Sequence, residues 1–324
     1  MRFVYVMDPV SRVVPDKDTT FAFQRAAQAR GHKSLHCEPK DLFVHQGDVH
    51  AFVRELHVQT DAPHFRFGNE EQVRLADVEA VFIRKDPPFD QAYLYATLLL
   101  ERARGRTVIM NDPRGLRDAN EKIYALNFYQ HMPKTLVASN RDKIFSFVKE
   151  VGGQAVIKPL DGAGGSGVMM LRDGDPNNRS IVDVLTSEGS RLAMVQEYLP
   201  AVRQGDKRVI LLDGEPLGAI NRIPRSDDIR SNIHVGGSVE PTELTANERA
   251  IVTDIAPRLR ADGLIFVGLD MIGERLTEVN VTSPTGIREL SRHKGRDVAD
   301  DVVRWVENKA LELSPNLRSI PSTP

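Results

Sequence analysis

Residues 156–171 of the chain read Val-Ile-Lys-Pro-Leu-Asp-Gly-Ala-Gly-Gly-Ser-Gly-Val-Met-Met-Leu. An apolar run ends at Lys158, a loop with four glycines follows, and a second apolar run closes the stretch. The glycines match the G-x-G-x-x-G spacing of dinucleotide-binding loops, but that motif requires a helix after its last glycine. A short run of strand-forming residues follows here instead. The stretch is therefore predicted to be a β-hairpin with a glycine-rich loop.

A hairpin of this kind can cover the phosphates of a nucleotide, as the glycine loop of kinases does. Glycines let backbone N–H groups approach an anion without hindrance from side chains. Lys158, at the end of the first strand, would add a positive charge. The alternative is an ordinary surface hairpin with a flexible tip, and this stretch alone does not separate the two.

The composition limits the classes of protein to which the chain can belong. The chain has 324 residues, of which 41% are hydrophobic and 27% charged, so it can bury a sizeable core in two domains or one large α/β unit. A net charge of −2 gives no general attraction to nucleic acid or anionic membranes. No apolar run reaches the roughly 18 residues of a membrane helix, the N-terminus does not resemble a signal peptide, and the single cysteine cannot form an internal disulfide. We therefore expect a soluble cytoplasmic protein without nucleic-acid or membrane partners.

The N-terminal part is predicted to form a parallel sheet. Phe3–Met7 is a continuous apolar strand, a helix capped by Thr19 or Thr20 follows, and Lys33–Cys37 is the next strand. This β-α-β order is typical of a parallel sheet buried on both faces. Asp8-Pro9 stands at the first turn, where a dinucleotide site would carry glycines, so a Rossmann cofactor site is not expected here.

The rest of the chain gives clear turn and cap signals. Leu116–Phe128 is predicted to be one helix, Asp213-Gly214 a hairpin turn, and Thr245 with Glu248 a capping box. Residues 225–237 are predicted to be a mobile loop, and 296–311 an amphipathic final helix. The tail 314–324 contains three prolines and little apolar content, so we expect it to be disordered.

A second apolar hairpin, Leu264–Val281, carries Asp270, Glu278 and Asn280. Their oxygen ligands suit Mg²⁺ bound to substrate phosphates, whereas salt bridges to arginine are the alternative. The register offers a test. A plain two-residue turn near Gly273–Arg275 would place Asp270 away from Glu278, so a shared metal site predicts a three-residue loop or a bulge.

Positive residues accumulate in the same half of the chain. A triphosphate and a developing acyl phosphate need several cationic donors, although any one of these residues could be a solvated surface charge. The members of the set are Lys122, Lys158, Arg208, Arg222, Arg225 and Arg230.

Taken in order, these motifs resemble a known family. The series runs Asn120-Glu121-Lys122, Lys158-Pro-Leu-Asp-Gly-x-Gly-Gly165, Gln196-Glu-Tyr-Leu-Pro200, Gly205-Asp-Lys-Arg208, Gly268-Leu-Asp270 and Glu278-x-Asn-Val-Thr-Ser-Pro-Thr285. Met7-Asp-Pro9 and Arg84-Lys-Asp-Pro-Pro-Phe-Asp90 belong to it as well. The series is similar to that of the ATP-grasp ligases and, more narrowly, of the bacterial glutathione synthetases. The likeness covers residues 1–313.

The resemblance implies an α/β (α+β) fold of ATP-grasp architecture, with an N-terminal parallel-sheet β-α-β domain and two α+β subdomains that sandwich ATP. The N-terminal domain would span residues 1–120. The central subdomain with the glycine-rich lid would span 121–200, and the C-terminal subdomain with the metal site 201–313.

The resemblance also implies roles for individual residues. ATP would be bound by Lys122, Lys158, Gly162, Gly164 and Gly165 at its phosphates, by Gln196, Glu197, Tyr198 and Leu199 at adenine, and by Asp206 at ribose. Mg²⁺, or Mn²⁺ in its place, would be held by Asp270, Glu278 and Asn280. The transferred phosphoryl group would be neutralised by the catalytic arginines Arg208, Arg222 and Arg230. The dipeptide substrate would be bound by Arg84, Ser283 and Thr285.

The reaction implied is the ATP-dependent ligation of γ-glutamylcysteine and glycine to glutathione, through an acyl phosphate and with release of ADP and phosphate. We also expect a homo-oligomer, a dimer or a tetramer, although the sequence does not give the oligomeric state. Two alternatives stay open: an ATP-grasp ligase for another amino acid or peptide, and a nucleotide-binding regulatory protein without turnover. The acid set argues against the latter, because nucleotide binding alone does not need all three residues.

Overall fold

The computed structural model describes residues 1–162, 164–225 and 238–314. Within these residues the strands form three sheets of seven, four and five strands. Each sheet falls inside one of the three predicted regions of the chain, and the domain division itself stays a prediction. Arg230, nearly all of the loop predicted at 225–237 and the tail after residue 314 lie outside the described residues.

The seven-stranded sheet comes first in the chain. Its strands are β1 (Arg2–Met7), β2 (Lys33–Cys37), β3 (Leu42–His45), β4 (Asp48–Val58), β5 (Phe65–Arg74), β6 (Ala80–Arg84) and β7 (Val108–Met110). The order is β3-β4-β2-β1-β6-β7, with β5 paired to β4. β1 is parallel to β2 and β6, and β6 is parallel to β7, which confirms the predicted β-α-β start. The helices of this part are α1 (Thr19–Ala29), α2 (Gln91–Leu100) and α3 (Pro113–Asp118).

The four-stranded sheet contains the glycine-rich hairpin. Its strands are β8 (Thr135–Ala138), β9 (Gln154–Pro159), β10 (Met169–Arg172) and β11 (Ala193–Glu197), in the order β10-β9-β11-β8. α4 (Arg141–Glu150) and α5 (Asn178–Thr186) belong to the same part. β9 and β10 pair antiparallel, with Ile157 opposite Met169, so the predicted strand–loop–strand arrangement is confirmed.

The five-stranded sheet is antiparallel throughout, in the order β14-β13-β12-β15-β16. Its strands are β12 (Asp206–Leu212), β13 (Glu215–Ile223), β14 (Ser238–Thr242), β15 (Phe266–Ile272) and β16 (Arg275–Asn280). The helices α6 (Ala246–Ala261), α7 (Ile287–Lys294) and α8 (Ala299–Leu313) complete this part. The predicted capping box at the start of α6 is present, with Thr245 and Glu248 each binding the other's backbone N–H.

The hairpin of β15 and β16 has the register that a shared acid site requires. Ile272 pairs with Arg275 across a two-residue turn, and the register then shifts at a bulge between Asp270 and Met271. Because the bulge absorbs one residue, Asp270 lies opposite Glu278 rather than opposite Thr277. The bulge is one of the two arrangements predicted for a shared site.

Several predictions about single elements were wrong. The segment 116–128 is not one helix, because α3 ends at Asp118 and a 3₁₀ helix begins only at Tyr124. α1 is capped by Asp18, whose side chain accepts from the N–H of Phe21, rather than by Thr19 or Thr20. The last helix begins at Ala299, later than predicted, and β5, β14 and α7 were not predicted.

One buried amide joins the first and third sheets. The Asn111 side chain donates to the carbonyls of Phe266 (2.9 Å) and Val281 (2.7 Å). Its Oδ1 accepts from the N–H groups of Ile265 and Phe266, both at 2.8 Å. Since Asn111 is 3% exposed and three of its four bonds are buried, this contact fixes the end of β7 against β15 and β16.

Candidate active site

An open cleft lies between the four-stranded and five-stranded sheets. Its space, counted out to bulk solvent, is about 910 Å³. The predicted residues that line it are Lys122, Lys158, Gly162, Gly164, Gly165, Gln196, Glu197, Tyr198, Leu199, Asp206, Asp270 and Glu278. The structure therefore brings every residue predicted to bind ATP into one cleft, together with two of the three predicted metal ligands.

Lys158 is the cation of the cleft with the fewest protein partners. Its Nζ contacts only the carbonyl of Thr277, at 3.4 Å, and no described carboxylate forms a salt bridge with it. Burial lowers the pKa of its ammonium from the ordinary value, against the attraction of Glu278. Lys158 is thus a partly desolvated positive charge at the end of β9, available to an anion.

Lys122 is positioned by the residues just before it. The Asn120 Oδ1 accepts from the N–H groups of Lys122 (3.2 Å) and Ile123 (3.0 Å), and its Nδ2 donates to the Leu160 carbonyl at 3.0 Å. These side-chain bonds stabilise a turn in place of a helix. The turn directs the buried Lys122 Nζ to the Gly162 carbonyl at 2.5 Å and to Glu278 at 3.0 Å.

Glu121 anchors the end of β16. One oxygen of its carboxylate accepts from the N–H of Val281 (3.0 Å) and from the N–H and hydroxyl of Thr282 (3.1 and 2.8 Å). Its backbone carbonyl accepts from the N–H of Val279 at 3.0 Å. Burial, with a smaller contribution from the charge of Glu278, raises the pKa of the Glu121 carboxyl. The sequence motif contained Glu121, but no role was predicted for it.

Two arginines and two aspartates form a buried network on β12, β13 and β15. Arg208 binds Asp270 through two parallel bonds of 2.7 Å. Arg222 binds Asp206 at 2.6 Å and Asp270 at 3.0 Å. Burial acts to raise the pKa of the Asp270 carboxyl, but the charges of Arg208 and Arg222 outweigh it and hold the pKa well below the ordinary value. The cross-strand register explains the pairing, because Arg208 lies opposite Asp270 and Asp206 opposite Arg222.

The three predicted metal ligands lie side by side. Asp270 is opposite Glu278 on the next strand, and the Asn280 amide donates to Asp270 at 3.2 Å. Both carboxylates already have cationic partners, Asp270 in Arg208 and Arg222, and Glu278 in Lys122. In the described part of the chain no cluster of three or more His, Cys, Asp or Glu side chains forms a metal-binding group. These side chains therefore do not form a complete set of metal ligands by themselves. They fit a hard cation that takes some of its oxygen ligands from the protein and the others from a bound phosphate.

The three residues predicted for the dipeptide also come together. Arg84, at the end of β6, is 5% exposed and donates to the Thr20 hydroxyl (3.0 Å) and the Pro284 carbonyl (3.1 Å). Pro284 lies between Ser283 and Thr285, both half-buried. Arg208 reaches the Thr285 carbonyl from the other side, at 3.5 Å.

Sequence reasoning missed several residues of this region. The apolar walls of the cleft include Val156, Val202 and Ile272, which read only as core positions in the sequence. Glu289, in the first turn of α7, is 6% exposed, and its Oε2 has no hydrogen-bond partner among the described residues. The sequence signal that could have identified Glu289 is its position, as an acidic residue shortly after the Ser283–Thr285 segment.

No helix in the described residues is long and apolar enough to cross a membrane.

Solved structures support the fold. The chain is similar to a D-cycloserine synthetase, with a TM-score of 0.66 and 16% sequence identity over 96% of this chain and 100% of that one. It is also similar to a RimK-domain ATP-grasp protein from Sphaerobacter thermophilus, with a TM-score of 0.60 and 18% identity over 94% of this chain and 99% of that one. At such low identity these likenesses establish the ATP-grasp fold.

Family models and curated relatives are more specific. Residues 1–117 match the N-terminal domain of prokaryotic glutathione synthetase, and residues 121–295 match its ATP-grasp domain. A glutathione synthetase from Synechococcus elongatus is 46% identical over 318 residues, covering 95% of this chain and 98% of the relative. One from Agrobacterium fabrum is 44% identical over 304 residues, covering 94% and 95%. The chain therefore belongs to the prokaryotic glutathione synthetase family of ATP-grasp ligases.

Proposed function

We propose that this ATP-dependent ligase joins γ-glutamylcysteine to glycine, forming glutathione with release of ADP and phosphate. The structural observation that carries the proposal is the pairing of Lys122 and Lys158 at one end of the cleft, beside the glycine-rich loop. Lys158 has only a carbonyl partner among the described residues, so a polyanion such as a triphosphate would supply the missing counter-charge.

In this proposal ATP lies between the two sheets. Lys122, Lys158, Gly162, Gly164 and Gly165 bind its phosphates, the segment Gln196–Leu199 binds adenine, and Asp206 contacts ribose. Glu278, Asp270 and Asn280 hold Mg²⁺, or Mn²⁺ in its place, against the phosphates. The ion would neutralise phosphate charge and orient the transferred group.

The chemistry then requires two displacements. A carboxylate oxygen of γ-glutamylcysteine takes the terminal phosphoryl group, and the bond from that phosphorus to the bridging oxygen of ADP breaks. Glycine next reacts as the free amine, after its ammonium has released one proton to solvent. The nitrogen attacks the acyl carbon, the bond from that carbon to the phosphate oxygen breaks, and the second proton leaves the nitrogen for solvent as the amide forms. Arg208, Arg222 and Arg230 would stabilise the negative charge that develops on the transferred group. Because Arg208 and Arg222 are fixed by Asp270 and Asp206, they would need no reorganisation during the step.

The dipeptide is proposed to bind at the segment Ser283–Thr285. Arg84 and Arg208 contact this segment from its two sides and would attract the carboxylates of the dipeptide. Glu289 has a buried oxygen without a partner among the described residues, and we propose that it accepts from the ammonium group of the dipeptide. This arrangement would bring the reacting carboxyl toward the phosphate end of the cleft.

We also propose a cellular location, an oligomeric state and a class of partner for the enzyme. It would act in the cytoplasm on small molecules, as a homo-oligomer, without nucleic-acid or membrane partners. The net charge of −2 gives no general attraction to nucleic acid or anionic membranes, in keeping with small-molecule substrates.

The decisive experiment measures ADP release from ATP and magnesium with γ-glutamylcysteine, with and without glycine. We expect release that requires both substrates, with glutathione identified as the product by mass spectrometry. No release from a protein that still binds ATP would reject the glutathione assignment, and other carboxylate and amine pairs would then be screened.

A further inference from the structure

The short segment Asn120–Lys122, which follows α3, contacts both sides of the cleft. On the side of the glycine-rich loop, its first and third side chains donate to the carbonyls of Leu160 and Gly162. On the other side, the Glu121 carboxylate binds the backbone just after β16. That stretch of backbone separates the proposed metal ligands from the proposed dipeptide residues, so Glu121 contacts the chain where the two proposed sites meet.

One carboxylate oxygen of Glu121 makes three hydrogen bonds to this stretch. Its Oε1 accepts from the N–H of Val281 at 3.0 Å, and from the N–H and the hydroxyl of Thr282 at 3.1 and 2.8 Å. Asn280 is the last residue of β16 with a partner across the sheet, so both N–H groups lie beyond the strand pairing. Val281 and Thr282 are buried, and an N–H group that loses its acceptor away from water costs about as much as a lost hydrogen bond. The Glu121 side chain therefore holds the backbone in place at these donors.

The residues on either side of 281–282 are the ones to which we assign chemistry. Glu278 and Asn280 come just before this pair and are proposed to hold the metal ion, and Ser283–Thr285 comes just after it and is proposed to bind the dipeptide. The carbonyl of residue 281 is held as well, because it accepts from Asn111 at 2.7 Å. A shift of the pair would move the metal ligands relative to the dipeptide segment, and a misplacement of about 1 Å can lower a rate on the order of 100-fold.

We propose that Glu121 is a positioning residue for the ligation: through residues 281–282 it holds the two proposed metal ligands of β16 in a fixed position relative to the dipeptide segment Ser283–Thr285. The inference rests on the proposed function, which supplies the roles of those residues. Glu121 acts here as a hydrogen-bond acceptor, because all three donors converge on one oxygen. An amide oxygen in the same place can accept from these donors, whereas a methyl group cannot.

The kinetic test compares Glu121→Ala with Glu121→Gln. Glu121→Ala removes the acceptor, so we expect a higher KM for γ-glutamylcysteine and a kcat/KM for it that is roughly 100-fold lower. Glu121→Gln keeps an acceptor oxygen and should lose less than about tenfold, the difference between a charged and a neutral hydrogen bond. Glu150→Ala, which removes an exposed acid at the end of α4, is the matched control and should change neither constant.

The KM separates positioning from a loss of stability. A variant that is only less stable contains fewer folded molecules, which lowers the apparent kcat but leaves KM unchanged. A Glu121→Ala protein with the wild-type KM for γ-glutamylcysteine would therefore overturn the proposal. A Glu121→Gln protein as impaired as Glu121→Ala would also overturn it, because the negative charge, and not the position of the backbone, would then be what the reaction requires.

Hydrogen exchange measured by mass spectrometry tests the contact without turnover. We expect the peptide covering residues 276–286 to exchange faster in Glu121→Ala than in the wild type, with β11 as an unchanged internal reference. Thr282→Val loses only the hydroxyl bond and should show a smaller change in the same direction, which keeps the test open if Glu121→Ala does not fold. Wild-type exchange of this peptide in both variants would overturn the inference, whatever the product. Faster exchange, together with a wild type that makes no glutathione, would reject the proposed function and keep Glu121 as the residue that fixes this backbone.

Discussion

Two groups of charged residues border the cleft, and they are paired in opposite ways. In the arginine network, Arg208 and Arg222 bind Asp270 and Asp206, so positive and negative charges balance within the protein. In the lysine pair, Lys122 forms an ion pair with Glu278, and Lys158 forms none with a described carboxylate. The first group has equal numbers of positive and negative charges, whereas the second has one positive charge in excess. The difference supports our proposal that the arginine network stabilises the sheet and holds fixed charge beside the reacting groups, while the lysine pair binds phosphate.

Removing Asp270 should produce the largest effect, on stability. Asp270→Asn would leave Arg208 and Arg222 buried without their shared counter-charge, and breaking such a buried pair costs about 3–5 kcal/mol. We expect that loss in the free energy of unfolding, measured by urea titration. Asp254→Asn is the control, because the Asp254 side chain is 55% exposed and its bond to His131, screened by solvent, should contribute little to stability. Equal losses of unfolding free energy in the two variants would show that Asp270 is not needed as the buried counter-charge of Arg208 and Arg222.

Glu278→Gln should separate binding from turnover. The change removes a carboxylate that we assign to the metal but leaves Lys122 and Lys158 positive, so nucleotide affinity should be largely kept. Turnover should fall on the order of 1,000-fold, as when a group that stabilises transferred charge is lost. Steady-state ADP release and equilibrium nucleotide binding measure the two quantities. Glu240→Gln, an exposed acid on the same sheet, is the matched control, and unchanged turnover of Glu278→Gln would remove Glu278 from the metal site.

The sequence predicted which residues meet in this cleft better than it predicted the elements around it. The bulge beside Asp270 was foreseen because strand residues alternate between faces, so only certain registers bring Asp270 and Glu278 together. Salt bridges to arginine were the alternative considered for the acids of this hairpin, and Asp270 does form them with Arg208 and Arg222, although the sequence did not show which arginines would be its partners. Their partners lie on neighbouring strands up to 62 positions away, and local pattern does not reveal which strands will be adjacent.

The structure of the segment after α3 was predicted wrongly for a different reason. The segment 116–128 was predicted to be one helix, but the Asn120 side chain accepts from the backbone N–H groups of Lys122 and Ile123 and so begins a new turn there instead of continuing α3. That turn is what directs Lys122 toward the cleft. The local rule failed beside the cleft, where tertiary contacts such as the Glu121 bonds to Val281 and Thr282 determine the backbone.

Lys158→Met should affect activity without destabilising the protein, in contrast to Asp270→Asn. The lysine lacks a described carboxylate partner and is partly desolvated, so an apolar side chain of similar length should leave the melting temperature unchanged or raise it. We expect kcat/KM for ATP to fall roughly 100-fold, from the loss of one charge-assisted contact to phosphate. Lys143→Met on α4, where the lysine is exposed, should change neither quantity. A marked loss of stability in Lys158→Met would mean that the lysine has a structural role.

The smallest effect is a proton taken up on nucleotide binding. Burial lowers the pKa of Lys158 in the free protein below its ordinary 10.5, and a bound phosphate would raise it again. Between those two pKa values binding must add a proton, so affinity should fall as pH rises, by at most tenfold per pH unit, and be constant below the lowered pKa. Titration calorimetry in two buffers of different ionisation enthalpy would count the proton. The uptake should vanish in Lys158→Met and persist in Lys143→Met. If proton uptake persists in Lys158→Met, another group takes up the proton. The excess positive charge of the cleft would then not reside on Lys158.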